Sequence, residues 1–95
     1  MFIVLLTYTV PLDRIDSVVD AHRLWLDGCY AEGVFLASGS QIPRTGGAIL
    51  AHQVTRARLE ALLAQDPFAQ AGFATYQIVE MEARKADPRL DFLVE

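Results

Sequence analysis

The 95-residue chain contains a single cysteine, Cys29. No intrachain disulfide can form, and metal sites built on paired cysteines are excluded. The expected setting is a reducing one, the cytoplasm. Basic charge is also scarce: eight Lys and Arg stand against twelve Asp and Glu, a formal net charge of −4. Nucleic acid is set aside as a partner on that ground, because neutralising phosphates needs clustered Lys and Arg. The only near-clusters are Arg56 with Arg58, and Arg84-Lys85. Long apolar runs are missing too. Phe2 to Leu6 is a run of five apolar residues without a charged start, too short for a signal peptide and far below the about 20 residues of a membrane span. No membrane partner is expected. Internal repeats, low-complexity segments and linkers are absent, so one domain over residues 1–95 is expected, with a core over about 1–85 and a tail over 86–95.

What the chain has in quantity is apolar side chains, 53% of the total. Phe2 to Tyr8 is rich in β-branched and aromatic residues and reads as a first strand. Asp13 to Glu32 carries helical spacing, with Asp13 in the N-cap or first turn and Gly33 as terminator. Val34 to Ser38 reads as a second strand, Gly39 to Gly46 as a loop, and Gly47 to His52 as a third strand. Thr55 caps a second helix reaching about Gln65, with Leu59, Leu62 and Leu63 on one face. Asp66-Pro67 starts a short helical turn closed by Gly72, and Thr75 to Glu82 alternates as a fourth strand. In the tail, an Asp87-Pro88 turn precedes an apolar patch at Leu90, Phe92 and Leu93.

The order β-α-β-β-α-β predicts an α+β, ferredoxin-like fold: a four-stranded antiparallel sheet with both helices on one face. The first three strands are nearly continuous apolar runs, which signals burial on both faces. The chain has no further layer for the second face, so a homodimer through the open sheet face is predicted.

Chemistry concentrates on few residues. The apolar stripe Ile15, Val18, Val19, His22, Trp25, Leu26, Cys29 carries one titratable group, His22. An imidazole there is either a satisfied core histidine or, if reachable, a proton shuttle near neutral pH. Asp66 is explained by capping alone, yet a carboxylate fixed at a helix start also suits orienting an imidazole. The loop from Ser38 to Gly47 offers Ser38, Ser40, Arg44 and glycine N–H groups to a ligand oxygen, or is simply a hairpin connection. Arg14, two turns before His22, is placed within reach of the same pocket. Asp13 and Asp16 read as a solvated first turn, His52 as a solvated strand end, and Cys29 as a small core residue. Convergent metal ligands cannot be assembled, and GxGxxG and Walker spacings are absent. No metal and no cofactor are expected.

Three separated segments resemble the YCII-related family: Asp20-Ala21-His22-Arg23-Leu24-Trp25-Leu26, the loop Ala37 to Gly47, and Asp66-Pro67-Phe68 followed by Ala71-Gly72. The likeness extends over about residues 1–85. It implies a ferredoxin-like fold pairing as a dimeric α/β barrel, and a histidine–aspartate active-site pair matching His22 and Asp66. A relative in that family removes chloride from a chlorinated polyhydroxybenzene, and the wider barrel group includes muconolactone isomerases. Many members carry proline after the loop glycine, where this chain has Ser40. The resemblance therefore implies a small cofactor-independent enzyme, an isomerase or lyase acting on a small cyclic or aromatic molecule. The alternative is a non-catalytic small-ligand-binding or accessory dimer.

Overall fold

Every second residue of the first strand is buried: Phe2, Val4 and Leu6 are at most 4% exposed, and Ile3 and Leu5 only partly covered. That period of two is a strand between two unequal environments. The computed structural model describes residues 1–94, so Glu95, the last residue of the expected tail, lies outside the described residues. The elements are β1 (Phe2–Tyr8), α1 (Leu12–Asp16), α2 (Val19–Ala31), β2 (Phe35–Ser40), β3 (Gly46–Ala51), α3 (Arg56–Ala64), α4 (Pro67–Gln70) and β4 (Ala74–Glu80). A 3₁₀ segment, Pro88–Leu93, follows. The sheet runs β2-β3-β1-β4 with all neighbours antiparallel, the ferredoxin-like order. None of the helices among the described residues is long and apolar enough to cross a membrane.

Three corrections concern boundaries. The single helix expected over Asp13–Glu32 is two helices. Ser17 Oγ donates to the Arg14 carbonyl at 2.6 Å, and Val18 relaxes to φ −118°, ψ −2°. A serine bonding back onto its own helix bends it, and a β-branched pair gains little by continuing straight. The expected loop Gly39–Gly46 is strand at both ends, Gly39–Ser40 in β2 and Gly46 in β3, leaving Gln41–Thr45 as the turn. Glycines read as turn formers, but here Gly46 serves close packing: a Cβ on it would collide with the Leu6 carbonyl oxygen of β1. The fourth strand spans Ala74–Glu80, not Thr75–Glu82.

Gly33 and Gly72 terminate α2 and α4 as expected, with φ of +76° and +72°. Each closes a Schellman motif: Gly33 N–H donates to Tyr30 and Val34 N–H to Cys29, while Gly72 N–H donates to Ala69 and Phe73 N–H to Phe68. Thr55 caps α3 by accepting from Arg58 N–H. Trp25 Nε1 donates to the Leu62 carbonyl at 3.1 Å, tying α2 to α3.

Register decides which side chains meet the helices. One inner row runs Ser40, Gly47, Leu6, Tyr76 and a second Ser38, Ile49, Val4, Ile78. An outer row runs Ala37, Leu50, Ile3, Val79. The inner position of the two serines depends on an irregularity between Phe35 and Ala37, where the extra residue Leu36 has no partner of its own. Phe35 is buried on the helix side at 3% exposure. Without the bulge, strict alternation would send Ser38 and Ser40 to the outer face.

Candidate active site

His22 lies one turn into α2, and its ring stacks on Phe68 of α4 with centroids 4.1 Å apart and planes 13° from parallel. Nδ1 lies 2.7 Å from Asp66 Oδ1. Asp66 is fully buried, at 0% exposure. An unpaired carboxylate there would be costly, and the fold surrounds it with donors. Oδ1 also accepts from Phe68 N–H at 3.0 Å, and Oδ2 accepts from the Tyr76 hydroxyl at 2.6 Å. Capping of α4 and contact with the imidazole are thus performed by one oxygen. Burial, then the hydrogen bond and negative charge of Asp66, push the Tyr76 hydroxyl far above the ordinary phenol range, so it stays a donor. With Phe68 N–H and Tyr76 both donating, Nδ1–H as the third donor satisfies the carboxylate and leaves Nε2 as an acceptor. Nε2 makes no protein hydrogen bond among the described residues, where no buried polar side-chain atom lacks a partner, so it is open to the cavity His22 lines.

That cavity, of about 400 Å³, lies between α1, α2 and the β2–β3 hairpin. Its apolar walls include Leu6, Val19, Leu26, Ile49 and Phe68, and its polar lining comes from Ser38, Ser40, Tyr8, Arg23, Arg44, Asp16 and His22. Ser38 Oγ is 2.8 Å from the Tyr30 hydroxyl. The Gln41 amide donates to the carbonyls of Leu6 and Gly47, fixing the hairpin against β1. Apolar walls with a few convergent polar groups are the usual composition of a small-molecule site.

The structure brings His22, Ser38, Ser40 and Arg44 to one cavity and places Asp66 directly behind His22. Arg14 is a correction: its guanidinium carbon sits 4.9 Å over the Phe73 ring, away from the cavity lining. Asp16 is the converse correction. Expected in solvent, it lines the cavity and accepts from Arg44 Nη2 at 2.6 Å. Both have one cause. On an unbroken helix Arg14 is two turns from His22 and shares its side, whereas Asp16 faces away. The break at Ser17-Val18 rotates α1 relative to α2. Tyr76 went unnoticed as well, although its alternation on β4 puts it in the inner row with Leu6. His52, expected in solvent, meets the Phe92 ring edge-on at 5.6 Å. Cys29 is buried as expected, and burial followed by the negative charges of Glu32 and Asp66 pushes its thiol up to about 11.

Comparison with curated proteins gives no match. Among solved structures, the chain is similar to a 5-chloro-2-hydroxyhydroquinone dehydrochlorinase from Burkholderia phenoliruptrix AC1100 in complex with 2,5-dihydroxybenzoquinone. The TM-score is 0.69 at 18% identity, over 92% of this chain and 100% of that one, a likeness of fold. The model of the YCII-related domain matches residues 1–82, a span that takes in all four strands and the whole cluster around Asp66. The chain belongs to the YCII-related family.

Proposed function

We propose that the protein is a small cofactor-independent enzyme in which His22 and Asp66 carry out general acid–base chemistry on a small cyclic or aromatic molecule. The observation that carries this reading is the division of labour on one imidazole: Nδ1 is held at 2.7 Å by a buried carboxylate, while Nε2 is free at the wall of a cavity. A base needs a fixed tautomer and an accessible lone pair, and this arrangement supplies both. In an elimination, Nε2 takes a proton from the substrate. The electrons of the broken bond form a new π bond and expel the leaving group with its electron pair, so hydrogen and leaving group depart together. In an isomerisation, His22 returns the proton to a different atom. Neither course consumes an oxidant. Ser38, Ser40 and Arg44 are placed to hold a substrate oxygen, and the Phe68 side of the cavity offers a flat apolar wall. The dehydrochlorinase of similar fold makes halogenated hydroxybenzenes the first compounds to try, with lactones second.

The protein is further proposed to pair through its outer sheet face. Ala37, Leu50, Ile3 and Val79 form a continuous apolar row there, and Val79 is 40% exposed. Such a face favours a second copy as its cover. Light scattering should give twice the chain mass, falling to the chain mass in Leu50→Glu. Activity is tested by screening hydroxylated haloarenes and lactones with wild type and His22→Gln. The glutamine variant should keep its fold and lose turnover by roughly 10²–10⁴-fold. Ligands that perturb the cavity of the wild type but are never converted would refute catalysis in favour of a binding module.

A further inference from the structure

Two guanidinium groups line the cavity, and they differ in what they can offer. Arg23 is 70% exposed and only loosely paired, 3.7 Å from Asp20, so solvent screens much of its pull. Arg44 is more covered, at 37% exposure, and its Nη2 donates to Asp16 Oδ1 at 2.6 Å. That bond joins the end of α1 to the Gln41–Thr45 turn, and both partners are part of the cavity lining. The cavity's best anion-binding group therefore already holds an anion supplied by the protein.

We infer that Asp16 sets the charge preference of the cavity: by occupying Arg44 it admits neutral hydroxylated rings and disfavours ligands that carry a carboxylate. The inference rests on the reading of this cavity as a small-ligand site. A ligand carboxylate accepting from the same guanidinium would lie about 4–5 Å from that of Asp16. Like charges at that separation cost from a few-fold in binding at the dielectric of water to more than a hundredfold at that of a protein surface. Behind His22 the buried carboxylate of Asp66 adds a second negative charge on the same side. A neutral hydroxyl meets no such opposition. Ser40, Ser38 and the Tyr8 hydroxyl can each donate to it or accept from it, and Nε2 of His22 accepts its proton. Substrate class is thus set by a carboxylate that plays no part in the proton transfer.

Hydroquinone and 4-hydroxybenzoate test this directly, because they share a ring and one hydroxyl and differ in whether the para group is neutral or anionic at neutral pH. Each is titrated into the wild type, Asp16→Asn and Asp16→Asn/Arg44→Gln, following the His22 and Ser38 resonances by NMR. Wild type should bind hydroquinone more tightly. Asp16→Asn should move the ratio of affinities about tenfold toward 4-hydroxybenzoate, and the added Arg44→Gln should reverse that gain. If both probes perturb His22 and Ser38 but the ratio is the same in wild type and Asp16→Asn, the assignment to Asp16 is overturned and the ligand site stands. A wild-type preference for 4-hydroxybenzoate overturns it equally. If neither probe perturbs the cavity of any of the three proteins, the ligand-site reading falls and takes this inference with it.

Discussion

Replacing Asp66 by asparagine or by alanine separates the charge of this buried group from its hydrogen bonds. The carboxylate is fully buried and surrounded by three donors: His22 Nδ1 at 2.7 Å, Phe68 N–H at 3.0 Å and the Tyr76 hydroxyl at 2.6 Å. In Asp66→Asn the amide oxygen can still serve the first two, and the Tyr76 hydroxyl can turn to accept from the new NH₂. All three bonds survive without charge assistance, a loss of about 1 kcal/mol each. Burying a neutral amide costs less than burying a carboxylate, which returns part of that loss. The net expectation is about 1–2 kcal/mol. In Asp66→Ala the three donors lose their acceptor together, at about 1–3 kcal/mol each for the buried ones. His22 is partly open to solvent and recovers some of its share, so about 4 kcal/mol is expected. In a domain of this size about 1 kcal/mol lowers Tm by roughly 4–8 °C, so the two variants should separate clearly in urea and thermal unfolding. A result within about 0.5 kcal/mol of wild type for both variants would show that Asp66 is not a buried three-way acceptor. Equal large losses would refute the division into charge and hydrogen bonds.

Tyr76→Phe leaves Asp66 Oδ2 buried without its donor and should cost about 1–3 kcal/mol in urea unfolding; an unchanged midpoint would mean the hydroxyl contributes nothing to holding the carboxylate. Gly46→Ala should destabilise by at least about 2–3 kcal/mol, because its Cβ collides with rigid backbone of β1. Gly28→Ala, with nothing near its Cβ inside α2, should stabilise by about 0.5–1 kcal/mol, and opposite signs for the two glycines in thermal unfolding check the packing. Cys29, 3% exposed with its thiol pushed up to about 11, should resist a disulfide reagent at pH 8 in the native protein and react at once in urea; rapid native labelling would contradict its burial.

The element order was legible in the sequence because it follows from local rules: apolar β-rich runs, helix spacing, Thr55 and Asp66 caps and two terminating glycines place the segments. The pair His22–Asp66 joins residues 44 apart. A lone imidazole on an apolar stripe marks one residue that needs a partner, but capping alone accounts for Asp66, and the pairing was legible through the family resemblance. What was not legible depends on single-residue departures from periodicity. The bend at Ser17-Val18 exchanged the environments of Arg14 and Asp16, since a rotation between two short helices leaves no trace in a stripe of apolar residues. The strand character of Gly39 and Gly46 was hidden because glycine used for close approach has the same signature as glycine used for turning. Tyr76 was visible only through register, which requires knowing that Leu6 is its neighbour.

The unpaired Leu36 in β2 ties two surfaces of the molecule to one position in the chain. Deleting Leu36 would leave Ala37 to Ser40 on their present sides, whereas pairing Leu36 in register with Leu50 would restore plain alternation at the same residue count and exchange all four. The hydroxyls of Ser38 and Ser40 would then leave the cavity for the apolar outer row, while Ala37 and Gly39 took their place beside His22. A slip of one residue in the pairing would therefore strip the pocket of polar anchors and plant serines on the outer face in one event. Relatives that tune their pocket are free to exchange the residues at 38 and 40, provided that the bulge is kept or is lost together with one residue.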